Sequence, residues 1–215
     1  YDTIFGRPTI RISNGIDFAH IPLKTNVNDT SNTVHLLGVA DIHFWHGFDR
    51  VVAGLADYYR RPHEKEVIFH IVGGGSRFTV PELREQVREQ GMEERVVLHG
   101  PLWGEALDRA FEEADLGIAS LGRHRNGITH IKTLKNREYA ARGIPFVYSE
   151  NDSDFDAMPY VLKAPADESP IDIDALLHFL DGVDRDPAHI RASIEDTLSW
   201  DVQMHKVLDQ IERLE

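Results

Sequence analysis

The sequence predicts a doubly wound α/β fold, in which helices cover both faces of a parallel, Rossmann-like sheet. Short apolar runs alternate with longer amphipathic stretches along most of the 215 residues. One strand and one helix together take roughly thirty residues, a length that suits right-handed crossovers between parallel strands. Several of the apolar runs are continuous, as expected for strands that are buried on both faces.

The N-terminal elements begin with a short strand at residues 9–12, before the turn Ser13-Asn14-Gly15. A polar linker follows at residues 28–32. The apolar run 34–39 predicts the next strand. Residues 48–59 predict a helix, because apolar side chains recur on one face of it.

The middle of the chain repeats this pairing. The continuous apolar run 67–72 ends in three glycines, as a buried parallel strand does, and a helix is predicted at residues 80–90. A strand at residues 96–98 precedes a helix at residues 105–113.

The C-terminal part starts with a strand at residues 116–119, followed by a helix at residues 133–141 that Gly143 closes. Residues 144–148 form another buried strand. The remaining predicted elements are a short strand and three helices, at residues 160–162, 173–180, 187–198 and 202–214.

Composition limits the possible functions. A net charge of −13 argues against binding a nucleic-acid backbone, which needs a basic face, although a few amides and cations can still hold one anionic small ligand. The absence of cysteine excludes disulfides and thiolate metal sites, and it fits a reducing cytoplasm. No apolar run reaches the length of about 18 residues that a membrane-spanning helix needs.

The most informative loop follows the strand at residues 116–119. Ligands of doubly wound sheets bind at the carboxyl ends of the strands, and the amino end of a helix attracts anions. Basic side chains are concentrated here beside the predicted helix start at Thr133, at Arg123, His124, Arg125, Lys132 and Lys135. The segment is either a phosphate cradle or a solvated basic loop.

Glu138 favours the first alternative. It lies on the same helix face as Lys135, about one turn inside the helix. A carboxylate at this position does not attract phosphate, but it can accept hydrogen bonds from the vicinal hydroxyls of a ribose. Phosphates over the helix start and a ribose at Glu138 describe a nucleotide. The alternative is a surface ion pair between Lys135 and Glu138, worth under about 1 kcal/mol.

Residues 134–147, LKNREYAARGIPFV, resemble the K-x-x-E-Y-x-A-x-G-x-P signature of GT-B glycosyltransferases. The likeness is greatest to glycosyltransferase family 4, of the capsular and exopolysaccharide type. Three other segments agree in order, namely ISNGID at 12–17, IVGGG at 71–75 and VLHGPL at 97–102. The resemblance covers residues 9–148, and the terminal helix near Trp200 fits the closing helix of the family.

The resemblance implies roles for individual residues. Glu138 would bind the ribose hydroxyls and Lys135 the phosphates or the sugar of a nucleoside-diphosphate sugar; with His46 they are the candidate catalytic residues. No cofactor and no metal ion is implied. The candidate donor-binding residues are Gly47, Gly73, Gly74, Gly75, Gly100, Leu102, Gly122, Arg123, His124, Gly127, Thr133 and Leu134.

The chain also departs from the family pattern. His130 stands where a second glutamate often contacts the donor sugar, and the usual arginine and lysine after the first strand are not evident. His46, next to Gly47, could partly take the place of that lysine. The run from Asp152 to Asp156 lacks the glycine and glutamate of a calcium loop, so helix capping is the preferred interpretation.

Three parts of the chain are expected: a connector from a missing N-terminal domain (1–20), a nucleotide-sugar-binding Rossmann-like domain (21–198) and a C-terminal helix (199–215). The start at Tyr1, without methionine, suggests a trimmed or processed fragment. The N-terminal domain would bind the acceptor, a sugar or lipid-linked sugar, so we expect the fragment alone to be nearly inactive.

The leading hypothesis is sugar transfer from a nucleoside-diphosphate sugar to an acceptor hydroxyl, with retention, in polysaccharide or glycoconjugate synthesis. The expected location is the cytoplasm or the inner face of the membrane. The alternatives are a nucleotide-sugar 2-epimerase, a non-catalytic nucleotide-binding module and a dinucleotide-binding domain. For the last, the segment from Gly73 to Phe78 lacks the third spaced glycine.

Overall fold

The computed structural model describes residues 3–25 and 32–213. A small antiparallel hairpin of β1 (Thr3–Ile4) and β2 (Arg7–Pro8) comes first. The strands of the main sheet are β3 (Thr33–Val39), β4 (Glu66–Val72), β5 (Val96–Gly100), β6 (Leu116–Ile118), β7 (Phe146–Tyr148) and β8 (Val161–Lys163). The α-helices are α1 (Phe48–Tyr59), α2 (Thr79–Glu89), α3 (Glu105–Glu113), α4 (Leu134–Arg142), α5 (Ile173–Gly182), α6 (Pro187–Leu198) and α7 (Trp200–Glu212).

The main sheet has six strands in the order β5-β4-β3-β6-β7-β8, and all of its pairings are parallel. Helices α1, α2 and α5 bury their apolar side chains on one face of it. Helices α3, α4 and α6 bury theirs on the other face. The predicted doubly wound parallel sheet is therefore confirmed. The chain turns to opposite sides after β3 and β6, and this leaves a crevice at their carboxyl ends.

Some predicted elements differ from the structure. The strand predicted at residues 9–12 is not formed, and a single parallel bridge between Ile16 and Ser199 follows these residues instead. A strand needs a neighbouring strand for its ladder of hydrogen bonds, and a local pattern does not supply one. The last helix starts two residues earlier than predicted, where the Ser199 side chain accepts a hydrogen bond from the Val202 amide. The polar linker lies outside the described residues except for Asn32, and so does Leu214.

A row of three histidines crosses the sheet from β3 to β5. His35 Nδ1 lies 2.9 Å from His70 Nε2, and His70 Nδ1 lies 2.9 Å from His99 Nε2. Each of these contacts needs one N–H and one lone pair. Burial, and then the neighbouring imidazoles His35 and His99, lower the pKa of His70 to about 4. The central imidazole is therefore neutral at neutral pH.

We expect acid to destabilise the protein through His70. In the unfolded chain its imidazole takes up a proton near its ordinary pKa of 6.5, whereas the folded protein resists protonation down to about 4. Because the unfolded state binds more protons in this interval, the free energy of unfolding should fall as the pH is lowered through it. Urea unfolding at several pH values measures this slope. His70→Gln should flatten it, and equal slopes in the two proteins would contradict the assignment.

Candidate functional site

The candidate site lies at the crevice between β3 and β6. The loop after β3 contains a short 3-10 turn, Phe44–His46, which is followed by Gly47 in the left-handed conformation (φ 69°). A side chain on Gly47 would place its Cβ 2.8 Å from the Leu121 carbonyl carbon. The Leu121 amide donates to the His46 carbonyl at 3.0 Å. Gly47 thus lets the loops that follow β3 and β6 pack directly against each other.

His46 is buried beside these loops. Its Nδ1 accepts a hydrogen bond from the His43 amide at 3.0 Å. Burial, and then the positive charges of Lys135 and Arg123, lower the pKa of His46 to about 2. With Nδ1 used as an acceptor, the ring is neutral and carries its proton on Nε2. His46 therefore has an N–H donor at Nε2, without the positive charge of the lysine that it was expected to replace in part.

Helix α4 begins at the same edge. Its N-cap Thr133 makes no side-chain capping hydrogen bond, because the hydroxyl is directed to the Asn136 side chain at 3.1 Å. The first amides of a helix have no carbonyl partner within the helix. Leu134 is exposed at this end. The start of α4 therefore offers backbone donors and the positive end of the helix dipole.

Lys135 is half-buried in the first turn of α4. Burial first, and then the positive charge of Arg123, lower its pKa to about 7, while the negative charge of Glu150 acts in the opposite direction. Within residues 3–25 and 32–213, Lys135 has no ion-pair partner. A cation kept partly desolvated and unpaired is a favourable binding group for an anion.

The other predicted basic residues are mostly neutralised by partners. Lys132 Nζ lies 2.5 Å from Asp154 Oδ1. Arg125 binds both Asp49 and Glu168, with Nη2 contacts of 2.6 Å to each. The side chain of His124 contacts Glu168, with 2.8 Å between Nε2 and Oε1.

Arg123 differs from these residues. Its guanidinium carbon lies 5.4 Å from the centre of the Trp45 ring, and its Nε is buried without a hydrogen-bond partner. Burial lowers the pKa of Arg123, and Glu150 acts against that shift. In the part of the chain that is described, the cations of the basic cluster without an ion pair are Arg123 and Lys135.

The amides that precede α4 are partly occupied by the protein itself. Those of Arg123 and His124 donate to Glu150 Oε1, at 2.6 and 3.3 Å. The 3-10 turn Arg123–Asn126 lies between Gly122 and Gly127, and Gly127 is left-handed (φ 73°). The loop therefore presents basic side chains, while its first two amides hold a carboxylate.

Glu138 lies one turn further into α4 and is half-buried. Its Oε1 accepts a hydrogen bond from Arg142 Nε at 3.1 Å. Arg142 Nη1 also contacts Asp108 Oδ1 at 2.8 Å. The alternative ion pair with Lys135 is not formed. Arg142 thus holds one oxygen of Glu138, and the Glu138 side chain is 30% exposed, so it is partly accessible to a ligand.

The glycines after β4 have a structural role. Gly73 has φ 135°, and a Cβ there would lie 1.7 Å from the Ala40 carbonyl oxygen. Gly75 similarly approaches Ile42, whereas Gly74 meets nothing closer than 3.6 Å. Gly100, the last residue of β5, is left-handed, and Leu102 packs partly buried against the core. The close approach of the loops after β3 and β4 thus accounts for Gly73 and Gly75.

Sequence reasoning singled out Arg123 and His124 but missed Ser120, Ser149 and Glu150, the other buried polar groups at the ends of β6 and β7. The described residues contain six buried side-chain N or O atoms without a partner, and five of these lie here. They are Ser120 Oγ, Arg123 Nε, His124 Nδ1, Ser149 Oγ and Glu150 Oε2. Glu150 lies two residues after a buried strand, which was the available signal, but the 36 acidic residues of the chain obscured it.

His130, at the position of the family's second glutamate, is exposed, and its Nδ1 contacts the Thr129 hydroxyl. Nearby, Asp152, Asp154 and Asp156 contact basic groups or hydroxyls. Within the described ranges, no group of three or more histidine, cysteine or acidic side chains is arranged to hold a metal ion. None of the described helices is both long and apolar enough to cross a membrane.

No family model and no curated protein matches the chain. Solved structures do match. The lipopolysaccharide outer core galactosyltransferase WaaB, in its apo form, has a TM-score of 0.63 at 20% identity, over 94% of this chain and 55% of that one. Anabaena HepE in complex with UDP and glucose has a TM-score of 0.67 at 16% identity, over 94% and 56%. TarM from S. aureus, in a complex that includes UDP, has a TM-score of 0.70 at 16% identity, over 96% and 40%.

The chain thus spans about half the length of the first two of these structures and less of the third. At sequence identities of 16–20%, the similarity to these structures establishes the fold alone. The protein is a Rossmann-like α/β domain with the fold of the C-terminal half of GT-B glycosyltransferases.

Proposed function

We propose that this chain is the donor-binding part of a glycosyltransferase that uses a nucleoside-diphosphate sugar. The observation that carries the proposal is the start of α4. There an unpaired, half-buried Lys135 and an uncapped helix end lie at the crevice, and Glu138 lies one turn deeper. HepE and TarM, with which this chain shares its fold, were solved in complexes that include UDP, and this supports a nucleotide as the ligand.

In this proposal the diphosphate lies over the first turn of α4. Lys135 and Arg123 supply positive charge from a partly desolvated position, where an electrostatic interaction is stronger than in water. As the sugar leaves, charge develops on the diphosphate, and these cations together with the helix dipole stabilise it without a metal ion. The neutral His46 donates an N–H to the donor sugar or phosphate.

The nucleoside half of the donor extends from this point toward β5. The carboxylate of Glu138 accepts hydrogen bonds from the two ribose hydroxyls, and Arg142 keeps its orientation. The backbone from Gly100 to Leu102 contacts the base. Transfer proceeds with retention to an acceptor sugar or lipid-linked sugar on a preceding domain, in polysaccharide or glycoconjugate synthesis at the cytoplasmic side of the membrane.

Calorimetric titration of the chain with UDP, GDP and their sugar conjugates tests the proposal. We expect one nucleotide series to bind with a stoichiometry of about one, because a donor domain has one site of this kind. The bound nucleotide should also raise the melting temperature by mass action. Absence of both heat and thermal shift with every nucleotide would rule out a donor-binding role.

Glu138→Ala should weaken nucleotide binding by about 1–3 kcal/mol, because the ribose hydroxyls lose their acceptor. Part of this loss should appear when wild-type protein binds 2′-deoxy-UDP, which lacks one of the two hydroxyls. In Glu138→Ala the deoxy nucleotide should bind as well as UDP, which a calorimetric double-mutant cycle measures.

Asp108→Asn is the matched control, since Asp108 is the other carboxylate partner of Arg142 and has no proposed contact with ribose. It should leave the preference for UDP over deoxy-UDP intact. A Glu138→Ala protein that still discriminates between the two would place the ribose elsewhere.

A further inference from the structure

Arg125 lies in the basic loop, and the proposed mechanism gives it no role. Its Nη1 and Nη2 donate to the Asp49 carboxylate at 2.8 and 2.6 Å. Its Nε and Nη2 donate to the Glu168 carboxylate at 3.0 and 2.6 Å. Nη1 also donates to the Phe44 carbonyl at 2.6 Å, so all five N–H groups of the guanidinium have an acceptor. The side chain is only 15% exposed, which distinguishes this group from a solvated surface ion pair.

The partners of Arg125 belong to three separate segments: the loop after β3, the first turn of α1 and the segment after β8. From the last of these, Glu168 also contacts His124, with 2.8 Å between Oε1 and Nε2. Two of the four residues in the 3-10 turn Arg123–Asn126 are thus bound to Glu168 through their side chains. The turn is attached on one side to α1 and on the other to the segment after β8.

The segment that carries Glu168 is itself fixed. Arg50 has a buried guanidinium, with 1% of the side chain exposed. It donates to the carbonyls of Pro165 and Ser169, on either side of Glu168, at 3.0 and 2.7 Å. It donates as well to the carbonyl of Leu121, just before the turn. Buried hydrogen bonds of this kind are costly to break, so the backbone around Glu168 is an anchor for the turn.

Arg123 opens the turn, and its side chain has few bonds of its own. The guanidinium carbon lies 5.4 Å from the centre of the Trp45 ring. Within residues 3–25 and 32–213 its Nε is buried without a hydrogen-bond partner. The position of this cation therefore depends on the backbone of the turn, which Arg125 and Glu168 hold.

We propose that Arg125 and Glu168 are positioning residues of the candidate site: they hold the turn Arg123–Asn126 against α1 and so keep the Arg123 guanidinium at the crevice to bind the diphosphate. The inference rests on the proposed function in so far as the ligand is a diphosphate. One of the measurements below requires no nucleotide.

Glu168→Ala tests the proposal by the sign of its effect on UDP affinity. The substitution removes a negative charge near the proposed diphosphate, so a purely electrostatic role of Glu168 predicts tighter binding. A positioning role predicts weaker binding, because the turn that carries Arg123 loses its anchor. We expect a loss of about tenfold, the size of one hydrogen bond to a charged group. Calorimetric titration measures this loss, and an unchanged or higher affinity would overturn the proposal.

The loss should also depend on Arg123. In an Arg123→Met background, Glu168→Ala should weaken UDP binding no further, since the residue that it positions is absent. An equal loss in both backgrounds would overturn the proposal. Asp181→Ala is the matched control, because Asp181 is a carboxylate of similar exposure that is bound to Lys65 at 2.7 Å. Its UDP affinity should equal that of the wild-type protein.

Arg125→Lys keeps the positive charge but not the planar fork that binds two carboxylates at once. It should weaken UDP binding in the same direction as Glu168→Ala. Wild-type affinity in this variant would overturn the role assigned to Arg125.

A measurement without nucleotide separates this inference from the proposed function. The Nε–H signal of Arg123 in ¹⁵N-labelled protein, assigned from its loss in Arg123→Met, reports how well the guanidinium is shielded from water. In Glu168→Ala this hydrogen should exchange with water about tenfold faster, because the turn opens more often. An equal exchange rate in the two proteins would overturn the proposal. Wild-type protein that binds no nucleotide would refute the donor role, and the NMR result would still decide whether Glu168 holds Arg123 in place.

Discussion

Asp152→Ala is expected to lower the free energy of unfolding by about 3–5 kcal/mol, because it breaks a fully buried ion pair. Asp152 and Arg137 have no exposed side-chain surface, and Arg137 Nη1 lies 3.2 Å from Asp152 Oδ2. The Asn136 side chain donates to the same oxygen at 3.0 Å. After the substitution, Arg137 keeps its contact with Asp154 but loses its fully buried counter-charge. Urea unfolding measures the loss.

Asp152→Ala should also affect the candidate site at the start of α4. Arg137 and Asn136 belong to the first half of α4, and Arg137 also donates to the carbonyls of Asn14 and Thr133. Asp152→Ala should therefore loosen the start of this helix and weaken nucleotide binding.

The double variant Arg137→Met, Asp152→Ala is the control, because removing both charges leaves none buried without its partner. It should be more stable than Asp152→Ala alone. A single variant as stable as the wild-type protein would show that the buried pair has little energetic weight.

Much of the fold could be predicted because its signals are local. The continuous apolar run before Gly73 and the recurring apolar face from Val51 to Tyr59 each determine one element without reference to the rest of the chain. The strand predicted at residues 9–12 was wrong. A strand also needs a neighbouring strand to pair with, and the sequence does not show which segments lie side by side. The early start of α7 was missed because the capping role of Ser199 was overlooked.

The candidate site was less predictable, because charges are neutralised by residues far away in the sequence. Arg125 and Lys135 look alike in the basic loop. In the folded protein Asp49 and Glu168 neutralise Arg125, whereas Lys135 has only the indirect influence of Glu150. The charge of His46 was unpredictable in the same way, since no local pattern shows that this ring is buried and stays neutral. The sequence was enough to predict that these residues lie at the carboxyl edge of the sheet. Their charge states could be derived only from the tertiary structure.

Lys135→Met is expected to reduce the affinity for the nucleoside diphosphate, and the turnover of an enzyme that contains this domain, by about 10²–10³-fold, the range seen when one preorganised group is removed from a developing charge. Methionine preserves the length and the apolar stem of the side chain. Because burial disfavours the charged form of Lys135 in the folded protein, its removal should leave the melting temperature unchanged or raise it. Loss of binding together with gain of stability is typical of a functional residue, and it separates this effect from simple unfolding.

The pH dependence of UDP binding provides a second, independent test of the role of Lys135. A bound diphosphate favours the protonated form of Lys135, so UDP binding to the wild-type chain should take up a proton at pH values above about 7 and weaken as the pH rises further. Calorimetry in buffers of different ionisation enthalpy measures this uptake. Lys135→Met should abolish it, while Lys65→Met, at a half-exposed lysine paired with Asp181, should not change it. Unaltered UDP affinity and unaltered proton uptake in Lys135→Met would show that the phosphates do not lie on the first turn of α4. The donor would then have to bind elsewhere along the crevice.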